Sequence, residues 1–160
     1  MNSKKTNLSA VQGNDFRMAL LCAGDKTAGE GYYWGTGPEV AWVERIRKGL
    51  PGEAVAALAG KMDVPKKDLA GWLHTTPRTL QRHIESGSNL SPDLSDRVVQ
   101  LIRVYCRALE VFQDEVKATV WLKSPNYALG DVSPNALLDT IPGIELVLDE
   151  LGRIEQGVFI

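Results

Sequence analysis

Cysteine and histidine are both scarce in this chain, and the scarcity excludes a good deal. Cys22 and Cys106 are two unrelated thiols, with no metal-ligand spacing and no disulfide framework between them. They read as reduced cysteines of a cytoplasmic protein. His74 and His83 stand nine residues apart, which does not place two metal ligands on one helix face. No Ser/His/Asp or Cys/His set has supporting context, so no catalysis, metal or cofactor is expected. No apolar run approaches the roughly 18 residues of a membrane span. Met18 to Ala23 is too short for a signal peptide and follows a polar start containing Asp15. Strong charge of one sign is also missing: the net charge is −2, which predicts no general attraction to nucleic acid. Period-two alternation is almost absent, which argues against strands and leaves an all-α fold.

Glycine and helical periodicity divide what remains. Residues 1–14 are polar, and residues 16–23 could form a short helix. Residues 24–37 hold Gly24, Gly29, Gly31, Gly35 and Gly37 around Tyr32, Tyr33 and Trp34, a density that opposes a helix interior. The stretch lacks the preceding strand and the Lys-Ser/Thr of a phosphate loop. It reads as a loop or arm, so 1–37 is set apart as an irregular N-terminal segment. From Pro38 the pattern is helical. Val40, Val43 and Ile46 share a face, followed by Val55, Leu58 and Ala59, then Leu69, Trp72 and Leu73. A helix from Pro77 is capped by Thr76 and stopped by Gly87. Ser91-Pro92 opens a long helix striped by Leu94, Val98, Leu101, Ile102, Tyr105, Leu109 and Phe112. Asp114 caps a further helix, with Val116 and Val120 leading to Trp121. Two shorter helices are expected near 134–139 and 143–155.

The average charge hides an asymmetry. Residues 65–84 carry four cations against one acid, a net of +3, while residues 126–160 carry six acids against one cation, a net of −5. A basic patch beside an acidic tail points to two different partners.

Residues 65–85 have the grammar of a helix-turn-helix: two short helices, a polar turn at His74-Thr75-Thr76, and small Ala70 and Gly71 to let the helices cross closely. At about 100° per residue, Leu80 and Ile84 define the inward face of the second helix, and Arg78 and Arg82 point away from it. Arginine pairs with guanine, glutamine with adenine, and threonine touches base or phosphate. Arg78, Thr79, Gln81 and Arg82 are therefore the candidate base-reading residues. Thr75 and Thr76 suit phosphate, as do Lys66 and Lys67 on the preceding helix. The bland reading of the same residues is a solvated helix face. The long apolar stripe after it could join two halves of the chain or form a homodimer face, and a helix-turn-helix normally reads a palindrome as a dimer.

In the last segment, Ile144, Val147, Leu148, Leu151 and Ile154 fall on one side, and Glu145, Asp149, Glu150 and Arg153 fall outward. Gly157 then frees the backbone ahead of Val158-Phe159-Ile160. Such an apolar stub either packs back on its own domain or enters a partner's pocket, where an aromatic anchor carries much binding energy.

Residues 114–160 resemble the toxin-binding domain of the MbcA/ParS/Xre antitoxins, which pair with RES-domain toxins. The resemblance rests on Trp121-Leu122, Pro125-Asn126, Leu129-Gly130, Pro134, Leu137-Leu138-Asp139-Thr140, Gly143, Val147, Leu151, Arg153-Ile154-Glu155 and Gly157-Val158-Phe159. It implies a helix-turn-helix region over 38–112 that represses the chain's own operon from operator DNA, and a toxin-binding domain over 113–160. It further implies an antitoxin whose C-terminal end occludes the active site of an NAD-consuming RES toxin. Arg153, Glu155, Gly157, Val158, Phe159 and Ile160 would face the toxin, and Trp121, Pro125, Asn126, Leu129 and Gly130 would shape the domain. The rivals are a stand-alone homodimeric helix-turn-helix regulator and an interaction adaptor that no longer touches DNA.

Overall fold

The computed structural model describes residues 39–157. Among these the chain forms seven α-helices and two 3₁₀ turns, with isolated bridges but no strand. The helices are α1 (Glu39–Lys48), α2 (Gly52–Met62), α3 (Lys66–Trp72), α4 (Pro77–Ser86), α5 (Pro92–Phe112), α6 (Glu115–Lys123) and α7 (Ile141–Glu155). The 3₁₀ turns are Tyr127–Leu129 and Pro134–Leu137. The N-terminal arm, Val40's place on its helix face, and Val158-Phe159-Ile160 fall outside what can be described.

Local chemistry sets most of the boundaries. Thr76, Ser91, Asp114 and Thr140 each accept a backbone N–H three residues on, which satisfies one of the orphan donors at a helix start. Proline at the first turn of α4 and α5 lacks an N–H that would be unpaired there anyway. Gly87 ends α4 in the left-handed conformation.

Helix α5 is the axis. It packs against α1 and α2 on the N-terminal side and against α6 and α7 on the other. Val98, Val99, Leu101, Ile102, Val104, Tyr105, Cys106, Ala108 and Leu109 are all buried, and one continuous core holds Leu58 and Leu80 together with Leu138, Val147 and Leu151. The long stripe is therefore consumed inside the chain and does not offer a dimer face. Phe112 meets Trp121 with ring centroids 5.6 Å apart, closing the corner between α5 and α6. The α1–α2 connection is tied down by the Leu50 N–H on buried Ser95 Oγ at 2.8 Å and by the Leu90 N–H on the Leu50 carbonyl at 2.8 Å. Gly52, the first residue of α2, lies so close to α4 that a Cβ there would sit 2.3 Å from the His83 carbonyl oxygen.

Several expectations need correction. Val116 and Val120 point outward, 72% and 57% exposed, while Ala118 and Leu122 turn inward. In so short a helix the Asp114 cap and the Phe112–Trp121 contact set the phase, and the small Ala118 allows close approach to neighbours. Val43 is 42% exposed, so the apolar face of α1 is narrower than expected. Gly71 has nothing within 4 Å of where a Cβ would be, so the close α3–α4 crossing depends on buried Ala70 alone. The expected helix at 134–139 is only a 3₁₀ turn, and α7 begins at Ile141, because Thr140 caps it. Glu150, expected outward, is buried against Arg153.

Candidate functional site

The α3–α4 pair builds the first half of the site. Leu69 and Ala70 on α3 and Leu80 on α4 are buried, so both helices are held by their inner faces. The turn between them is closed by the Thr75 N–H on the Ala70 carbonyl at 2.9 Å. Thr76 Oγ1 accepts the Thr79 N–H at 3.1 Å and lies 3.0 Å from Thr79 Oγ1, so these two hydroxyls first serve the cap. Arg78 and Arg82 are exposed on the outer face, and neither has an ion pair among the described residues.

The remaining sequence candidates divide. Lys66 Nζ donates to Gln81 Oε1 at 2.6 Å, and Gln81 Nε2 donates to Glu85 Oε1 at 2.7 Å. Lys66 and Gln81 are thus joined to the outer face of α4, with the Gln81 amide engaged at both ends. Lys67 lies elsewhere. It lines a groove of about 650 Å³ with Asp68, Lys123, Asn135 and Asp139, toward the C-terminal region. Sequence reasoning passed over Glu85, an exposed acid on α4 bonded to Gln81; its position four residues after Gln81 was the available signal. It also passed over His74, whose partner is distant in sequence.

The second half of the site is α7. Thr140 Oγ1 accepts the Gly143 N–H at 3.2 Å, and a Cβ on Gly143 would sit 1.9 Å from the Leu137 carbonyl oxygen, so this junction requires glycine. Ile144, Val147 and Leu151 anchor the inner face. Arg107 on α5 holds Glu155 through Nη1 at 3.2 Å and Nη2 at 2.5 Å. That bidentate pair raises the Arg107 guanidinium and holds the Glu155 carboxyl below its ordinary range. Arg153 Nε donates to Glu150 Oε2 at 2.7 Å. Both charged members of the expected toxin-facing set are therefore already paired within the chain. Gly157, at φ 70, is exposed at the end of α7. The domain-shaping residues take structural roles: Asn126 Oδ1 accepts the Ala128 N–H at 2.8 Å, and Gly130 closes that turn at φ 79. No three His, Cys, Asp or Glu among the described residues converge as a metal site. No helix there is long and apolar enough to cross a membrane.

Architecture and site define a helix-turn-helix protein that carries a compact helical module on an extended α5. The chain matches the family model for the antitoxin Xre-like helix-turn-helix domain over residues 41–103. It also matches that for the antitoxin Xre/MbcA/ParS C-terminal toxin-binding domain over residues 107–157. It is 30% identical over 118 residues to the antitoxin Xre of Yersinia enterocolitica, covering 73% of this chain and 80% of that one. It is 31% identical over 114 residues to the antitoxin Xre of Photorhabdus laumondii, covering 71% and 77%. A Sphingobium protein named "Prs ADP-ribosylating antitoxin" is 25% identical over 123 residues, covering 71% and 77%. The chain belongs to the Xre/MbcA/ParS antitoxin family and is an antitoxin of a toxin–antitoxin system with a helix-turn-helix domain. The two matched regions meet inside α5, between Arg103 and Arg107.

Proposed function

We propose that this antitoxin neutralises a RES-type, NAD-consuming toxin by seating its C-terminal end, Gly157 to Ile160, in the toxin's catalytic cleft. The observation that carries this reading is the exposed end of α7, from Glu155 to Gly157, held to α5 by the Arg107–Glu155 pair. A helix end fixed in this way presents the following apolar residues from a defined point, which lowers the ordering cost of inserting them. Arg153 and Glu155, being paired within the chain, act mainly by holding that turn. The name of the Sphingobium relative refers to ADP-ribosylation, chemistry that takes its ADP-ribose from NAD, and this favours an NAD-consuming partner. Removal of residues 157–160 should leave a folded protein that no longer protects growth against the toxin. Full protection by the truncated chain would sink the plug mechanism.

The second activity we propose is repression of its own operon, with Arg78 and Arg82 reading the major groove and Thr75, Thr76 and Lys66 at phosphates. One reading helix gives too few contacts for specificity, so a homodimer on a palindromic operator is the expected arrangement. Since α5's stripe is buried within the chain, pairing uses another surface, and sedimentation at micromolar concentration tests it. The work would be done in the cytoplasm, on DNA. Arg78→Ala with Arg82→Ala should abolish binding to a duplex of the gene's own upstream region at unchanged helicity, each contact being worth about 1–3 kcal/mol. Affinity should fall steeply with salt. Unchanged affinity of the double variant refutes the assignment.

A further inference from the structure

Gln81 is held by two neighbours of opposite charge. Lys66, the first residue of α3, donates from Nζ to Gln81 Oε1 at 2.6 Å. Gln81 Nε2 in turn donates to Glu85 Oε1, one turn further along α4, at 2.7 Å. An ammonium only donates and a carboxylate only accepts, so the amide faces one way alone, oxygen to Lys66 and nitrogen to Glu85. Among the described residues Lys66 and Glu85 have no other hydrogen bond or ion pair, so both are committed to this side chain. Gln81 is half-buried and its two partners are exposed. By helix geometry it lies within about 100° of both Arg78 and Arg82.

These two bonds do not exhaust the amide. Its oxygen keeps a second lone pair and its nitrogen a second hydrogen, side by side on one planar group. That pair is the complement of adenine in the major groove, which offers N7 as acceptor beside the N6 amino donor. Guanine offers two acceptors there, and the free lone pair on Oε1 would meet its O6. An unheld glutamine can turn its amide over and present the reverse order. The held one turns only by breaking both bonds. Its ordering is completed on folding, so base recognition does not bear that cost. Lys66 also keeps two of its three donors, in keeping with a place at a phosphate.

We propose that Gln81 selects an adenine of the operator, and that Lys66 and Glu85 are positioning residues that fix which way its amide points. The inference rests on the DNA-binding reading above and adds to it a base class selected beside the two arginines. Glu85 brings a negative charge toward phosphate, so it lowers total affinity while sharpening the preference for one base. The two effects are separable, because the charge of Glu85 sets the first and its acceptor oxygen sets the second.

The test uses the full chain and a duplex of the gene's upstream region in which each base pair is replaced in turn. Replacing one A·T pair per half-site should weaken binding by the natural chain roughly five- to 150-fold, the worth of a bidentate pair. In Gln81→Ala that factor should fall to near one while the factors at other pairs stay. Lys66→Met and Glu85→Ala should each reduce it several-fold at the same pair. Glu85→Gln keeps an acceptor of the same shape, so it should keep the preference and bind the unaltered duplex more tightly, a pattern that a merely structural role does not predict. At that pair 7-deazaadenine, which lacks the N7 acceptor, should weaken the natural chain and leave Gln81→Ala unaffected; this probe needs only the natural fold on its first arm. The absence of any A·T pair whose factor depends on Gln81 overturns the inference while DNA binding stands. A full factor retained in Lys66→Met or in Glu85→Ala overturns the positioning role. Equal affinity of the natural chain and the Arg78→Ala, Arg82→Ala variant is a separate result that removes the functional reading and the inference with it.

Discussion

Two glycines of one helix, Gly52 and Gly60, should respond oppositely to the same substitution. Alanine at a helix position ordinarily gains up to about 1 kcal/mol over glycine, because it lowers the entropy of the unfolded chain. Gly60 is exposed in α2 with nothing within 4 Å of an added Cβ, so Gly60→Ala should stabilise by roughly 0.5–1 kcal/mol. At Gly52 the added Cβ would sit 2.3 Å from the His83 carbonyl oxygen and 2.5 Å from its carbon, where ordinary contact begins at 3.4 Å. The obstacle is backbone in the middle of α4, so no rotamer change removes it. Overpacking of this kind costs about 1–3 kcal/mol, which exceeds the propensity gain at the first position of a helix. Gly52→Ala should therefore lower the melting temperature by several degrees, at about 3–6 °C per kcal/mol for a chain of this size. Relief of the clash requires α4 to move outward, so promoter affinity should also fall. Denaturant titration of both variants measures the difference. Equal stability of Gly52→Ala and Gly60→Ala would refute the α2–α4 approach on which the placement of α4 rests.

A double-mutant cycle on Arg107→Ala and Glu155→Ala should give a small positive coupling, as expected of an ion pair at the surface. Because the folded Glu155 carboxyl lies below its ordinary 4.5, the contribution is present above that value and is lost as pH falls through the depressed folded one. A coupling unchanged down to pH 2 would contradict the pair. Burial pushes the Tyr105 phenol from 10.0 up to about 12, with Glu115 adding to the effect and a Thr119 hydrogen bond opposing it. Stability from keeping this phenol neutral is complete below 10 and drains away as pH rises toward 12, and Tyr105→Phe should flatten that alkaline loss in urea titrations. A chain ending at 112 should lose near-ultraviolet circular dichroism and cooperative unfolding, since α5 would be stripped of α6 and α7. Cooperative melting of that fragment would show that the halves have separate cores.

Most helix positions, several caps and the outward face of α4 were legible because each rests on local chemistry: Thr76 with Pro77, Ser91 with Pro92, and Asp114 bond groups within three residues. The run of positions from Trp121 to Gly157 carried the family for the same reason, since it records turns and caps in order. What escaped was whatever depends on the partner across a fold. The stripe on α5 reads the same whether a second copy or α6 and α7 cover it. Lys66 and Lys67 are adjacent in sequence yet serve different surfaces, because on a helix neighbouring positions are about 100° apart. Glu150 sits at a position that alternates with solvent-facing acids, and only the Arg153 contact makes its burial tolerable.

His74 is the sharpest case of this limit. Its type and its place in a polar turn predict an exposed side chain, and it is exposed, but its proton is committed to a carbonyl 65 residues away. A left-handed, non-glycine residue in a turn of this kind, as His74 is at φ 54, is uncommon, and a hydrogen bond offsets its cost. Here that bond comes from the opposite half of the molecule. The turn between α3 and α4 is therefore tied to the start of α7, beside a core that both halves build around α5.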